Sequence, residues 1–70
     1  MDSKDRENLQ YILNLTDTGR EEFLLEQSTD DLKYALSLLI RYRIGGLRAT
    51  FADPEEIEKE VDKLKQISYT

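Results

Sequence analysis

Residues 32–52, LKYALSLLIRYRIGGLRATFA, decide the fold. They carry Lys33, Arg41, Arg43 and Arg48 without one acid, whereas the chain on either side is acidic. Residues 1–31 hold nine acids against three bases and residues 53–70 hold six against three, so the net charge runs −6, +4 and −3 along the chain. At about 100° per residue, Leu32, Ala35, Leu36, Leu39, Tyr42 and Leu47 gather on one broad arc, with Ile40 and Ile44 on one flank and Leu38 and Ala49 on the other. Lys33, Ser37, Arg41 and Arg48 form the polar stripe. A helix with so wide an apolar arc must be covered on more than one side, by its own chain or by a second copy.

The start of this central helix is well marked. Ser28 can cap it, Asp31 stands at the capping-box position, and Asp30 and Asp31 put negative charge where the helix dipole is positive. Its end admits two readings. If the helix stops near residue 44, Arg41 and Arg43 fall in its last turn, where cations suit the dipole, and a glycine cap closes it. If it runs to residue 51, Ile40, Ile44, Leu47 and Phe51 form an unbroken stripe, and Gly45 and Gly46 cost about 1 kcal/mol each against Ala.

Working outward, the C-terminal segment reads as a helix over 54–67. Asp53 caps it, Pro54 takes the first helical position, Glu56 completes the box, and Ile57, Val61, Leu64 and Ile67 or Ser68 trace a narrow apolar stripe. Residues 67–70 are expected to fray. Toward the N-terminus, Ser3 can cap a helix over 4–15 with Leu9, Ile12 and Leu13 on its apolar face. The run Thr16-Asp17-Thr18-Gly19 breaks that pattern. Thr18 with Glu21 makes a capping box for a short helix over 19–27, anchored by Phe23, Leu24 and Leu25. The expected fold is all-α, a bundle of three to four helices around a long central helix, with the acidic flanks lying against its basic groups.

Seventy residues make one domain near the lower size limit for a core without staples, so dimerisation is a natural source of extra buried surface. With 39% apolar and 36% charged residues, the chain is too apolar for a disordered tail and too charged for a membrane protein. There is no Cys and no His, which removes disulfides, thiolate nucleophiles, imidazole bases and the usual zinc ligand sets. No apolar run approaches the roughly 20 residues of a membrane span, and MDSKDRENLQ does not resemble a signal peptide, so a cytoplasmic setting is expected. The adjacent carboxylates Asp30-Asp31, Glu21-Glu22 and Glu55-Glu56 all sit at helix starts, where capping accounts for them. No catalytic residue, cofactor or metal site is expected.

The functional expectation is a non-enzymatic protein-interaction module, self-associating as a homodimer through the central helix and acting as adaptor, regulator or inhibitor of a protein partner. Tyr and Arg are enriched at binding hot spots, and Tyr34, Leu38, Arg41 and Tyr42 lie along one edge of the arc, with Gly45 below them. Arg43 falls inside the arc, either as an interface residue or as a core-edge cation paired with a carboxylate of a flanking helix. Tyr34 and Tyr42 also read as ordinary core-edge aromatics with their hydroxyls in water. Two alternatives stand beside this. The basic segment, preceded by a short helix and a turn, has the outline of a helix-turn-helix that binds nucleic acid, although Asp30 and Asp31 stand where phosphates would lie and Lys33 and Arg41 read more simply as a solvated face. The acidic helices could instead imitate a phosphate backbone and block a basic groove.

Overall fold

A computed structural model describes residues 1–68, with side chains to Gln66. Four helices follow one another: α1 (Ser3–Leu13), α2 (Asp17–Glu26), α3 (Thr29–Gly45) and α4 (Pro54–Ser68), with a 3-10 turn at Gly46–Arg48 between the last two. The all-α bundle around a longer central helix is therefore the fold. The expectations for Tyr69, Thr70 and the Ile67 side chain lie outside the described residues.

The helix starts follow capping chemistry, but not always at the expected residue. Asp2, not Ser3, caps α1, its carboxylate accepting from Asp5 N–H at 2.8 Å. A carboxylate one residue earlier satisfies the same orphan amide and adds charge at the dipole's positive end. Likewise Thr16, not Thr18, caps α2, accepting from Gly19 N–H at 3.0 Å. A Cβ at Gly19 would meet Thr16 Oγ1 at 3.1 Å, so the bare glycine lets this cap close. The expected break at residues 16–19 is thus the first turn of α2. Ser28 caps α3 through Asp31 N–H, and Asp53 accepts from Glu55 N–H at 3.0 Å, both as the sequence indicates. The Glu56 carboxylate, expected to close a capping box, reaches Arg43 at 3.4 Å.

Gly46 settles how α3 ends. Its φ of 61° and ψ of −142° lie where a side chain is strained, and its N–H bonds back to Tyr42 O. The stop is correct and the continuous helix to residue 51 is not. Leu47 and Ala49 consequently leave the helical register, and the extended arc does not exist as drawn.

The core joins Ile12, Leu24, Leu32, Ala35, Leu36, Val61 and Leu64, with Phe23, Leu39 and Ile57 packed against it. Each buried aliphatic side chain contributes about 1.5–3 kcal/mol. Tyr11 and Phe23 meet edge to face at 5.4 Å across α1 and α2. Arg20 of α2 donates to the carbonyls of Ile12 and Leu15, which fixes the corner after α1 by satisfying its terminal acceptors. Helix α3 packs on α4, α1 and α2, which bury Leu32, Ala35, Leu36, Leu38 and Ile40. The middle of the arc is not its deepest part. Leu38 on one flank is 0% exposed and Ile40 on the other is buried, whereas Leu39 between them is only partly buried and lines an open seam with Arg20, Arg43 and Glu60. Helices on both sides grip the flanks and leave the centre facing the seam.

This arrangement ranks two adjacent leucines. Leu38→Ala should lower unfolding free energy by about 2–5 kcal/mol, enough to unfold much of so small a domain, while Leu39→Ala should lose clearly less. Urea melts followed by circular dichroism measure both; equal losses, or a greater loss at Leu39, would contradict the packing.

Candidate docking groove

The basic groups of α3 are engaged by carboxylates of the flanking helices. Lys33 Nζ meets Glu58 of α4 at 2.8 Å, Arg43 meets Glu56 of α4 at 3.4 Å, and Arg41 meets Asp5 of α1 at 3.6 Å. The Glu58 carboxylate holds the Lys33 ammonium above its ordinary pKa, and Lys33 in turn holds Glu58 below the ordinary carboxylate value. The charge segregation of the sequence is therefore a pattern of interhelical pairing.

The Asp5 pair lies deepest. The Arg41 and Asp5 side chains are 15% and 18% exposed, and both are shared with other groups. The other Asp5 oxygen accepts the Tyr34 hydroxyl at 2.5 Å, Asn8 Nδ2 donates to the same hydroxyl at 3.1 Å, and Arg41 donates through Nε and Nη2 to Ala49 O at 3.3 Å. One cluster thus ties α1, α3 and the segment after the 3-10 turn. The solvated-face reading of Arg41 is corrected, because an arginine holding two partners in a shallow cleft is not free in water. So is the reading of Tyr34 with its hydroxyl in solvent.

Of the five residues expected to meet a partner, Leu38 is buried, and Tyr34, Arg41 and Arg43 make contacts within the chain. Tyr34, Leu38 and Arg41 lie on the edge of α3 that the chain's own α1 occupies; Leu38 has no surface left to offer. Arg43 lies on another side, exposed and paired with Glu56, which is the core-edge reading. Tyr42 stays open on the α1 side at 43% exposure, close to Tyr34 at 39%, but without the hydroxyl partners that Tyr34 has. The start of α1 lies at this end of α3, where the Met1 ammonium donates to Leu47 O at 2.9 Å. Tyr42 and Leu47, the latter 48% exposed, face Leu9 and Leu13 of α1 across an open groove of about 320 Å³, completed by Arg6 and Gln10. The lining contains one cation and no acid.

Leu13, Leu47 and Arg6 were not expected in a site. The available signal was the pair Leu9 and Leu13, four apart, which makes the apolar face of α1 wider than contact with α3 at Ile12 requires. Leu47 becomes visible only once Gly46 breaks the helix. Of the adjacent carboxylates, Glu56 pairs with Arg43, and among the described residues no three Asp or Glu converge as metal ligands. Among the described residues no helix is long and apolar enough to cross a membrane. In comparisons with known protein families, curated proteins and solved structures, the chain finds no match.

Asp5 also sets a titration. By accepting the Tyr34 proton it raises the Tyr34 pKa above the ordinary 10, an effect that Asn8, donating to the same oxygen, opposes. Because the folded value is raised, this contribution to stability is complete below the ordinary tyrosine pKa and is lost as pH rises through the folded one. A phenolate absorbance titration should show a late-ionising step that Tyr34→Phe removes. A titration unchanged in Tyr34→Phe would contradict the bond.

Proposed function

We propose that the protein is a non-enzymatic protein-interaction module, self-associating and acting on a protein partner as adaptor, regulator or inhibitor, with the groove between α1 and the end of α3 as its working surface. The observation that carries this reading is the groove's composition: an apolar floor of Leu9, Leu13, Tyr42 and Leu47 with only Arg6 charged, on a chain of net charge −5. Covering the half-exposed Tyr42 and Leu47 would contribute on the order of 1 kcal/mol each. Such a floor suits an amphipathic helix or a single large apolar anchor. A cytoplasmic setting is part of the proposal.

This moves the expected self-association from the whole central helix to its C-terminal end, since Leu32, Ala35, Leu36, Leu38 and Ile40 are buried within the bundle. Nucleic-acid binding through the central segment has less support, because three of its four cations already face carboxylates of the same chain. A phosphate backbone would have to displace them.

Apolar-probe mapping tests the reading. Titrating isopropanol into labelled protein at low concentration should give saturable amide shifts clustered at residues 9–13, 42 and 47. Leu47→Glu should abolish the cluster and leave thermal melting nearly unchanged. Shifts spread evenly, or gathered in the cleft beside Tyr11 and Phe23, would overturn it.

A further inference from the structure

We infer that the occupant of the groove is helix α2 of a second copy, with Leu25 as its anchor, so that copies join head to tail. The inference rests on the groove being the docking surface and names what enters it. Helix α2 presents the chemistry the groove lacks. Glu21, Glu22 and Glu26 are exposed, and Leu25 is the exposed large apolar residue of this helix. Glu21 and Glu22 precede Leu25 by four and three residues and so share its face, which makes a carboxylate-flanked leucine on a rigid helix. The inward residues Leu24 and Phe23 are held by the core, so this outer face is fixed in place.

The receiving side is complementary in both respects. Its floor is apolar, its lining has no acid, and Arg6 stands at its rim. Arg48, next to Leu47, is exposed and, among the described residues, makes no ion pair. Seating Leu25 against Tyr42 and Leu47 brings Glu21 and Glu22 toward Arg6 and Arg48. The reverse arrangement, groove against groove, would bring the Arg6 and Arg48 of two copies together, which like-charge repulsion disfavours. The two surfaces share no residue, so each copy can give and receive at once. Such a contact is heterologous and extends beyond a dimer unless the ring closes.

Heterologous contact predicts a complementation that a symmetric dimer does not. In sedimentation across a concentration series at low salt, the wild type should exceed dimer mass and shift back toward monomer as salt rises. Leu47→Glu spoils the groove and Leu25→Lys spoils the anchor; each alone should stay monomeric at concentrations where the wild type associates. Mixed in equal amounts they should form a dimer and nothing larger, since one intact groove meets one intact anchor. Both residues are exposed, so both variants should melt like the wild type. If Leu47→Glu melts early, Arg6→Glu with Glu22→Lys supplies the same test by charge, each weakening association alone and the double variant restoring it. A wild type that stays monomeric while isopropanol still maps to the groove overturns the inference and leaves the groove for another protein. Loss of the isopropanol signature overturns the groove itself. A wild-type dimer that stops at two copies, with no rescue on mixing, overturns the head-to-tail arrangement.

Discussion

Asp5 serves two residues of α3 at once. One carboxylate oxygen accepts the Tyr34 hydroxyl and the other faces Arg41, which also holds the carbonyl of Ala49. The position of α1, and the way the chain returns after Gly46, both depend on this cluster. The Arg41 side chain cannot satisfy Ala49 unless the chain turns back at the glycine, and it cannot be neutralised unless α1 lies alongside. Stability for a domain of this size is on the order of 0.05–0.15 kcal/mol per residue, so one partly buried cluster is a sizeable share of the total. Half-buried charges also specify geometry: an uncompensated Arg41 in the same place would be costly, which disfavours packings that move α1 away.

The same pairing shapes what remains open. Carboxylates of α1 and α4 pair with Lys33, Arg41 and Arg43, whereas Arg6, Arg48 and the Met1 ammonium, which donates to Leu47 O, stand by the apolar groove. On an acidic chain this leaves an apolar groove whose lining holds Arg6 and no acid. Helix α2 bears the opposite combination, exposed carboxylates around Leu25. Charge segregation, which begins as a feature of composition, thus acts first within the bundle and then at its surface.

How far the residues could be read in advance follows from what each pattern encodes. Ser28 with Asp31, and Asp53 with Pro54, are caps whose partners lie within three residues, so local chemistry fixes them. Asp2 and Thr16 were missed because Ser3 and Thr18 are equally good capping types one and two residues away; the choice depends on where the neighbouring helix lets the chain turn. Periodicity showed that α3 needed cover on several sides but could not say which helix covers which side. Leu38 and Leu39 are the same residue type on one arc, and only the packing of α1 against α3 buries one more than the other. The edge of Tyr34, Leu38 and Arg41 has the composition of an interface because it is one, within the chain. Gly46 carried both endings of α3 until its positive φ chose, and with it Leu47 passed from expected core to groove wall.

Asp5 and Arg41 are coupled, and this coupling holds α1 on α3. A double-mutant cycle with Asp5→Asn, which keeps an acceptor for Tyr34, and Arg41→Met measures it directly by urea unfolding. The account predicts a favourable coupling of about 0.5–3 kcal/mol that shrinks only modestly in salt, as expected for a partly buried pair. Strictly additive losses would contradict it and would mean that α1 is held by apolar packing alone.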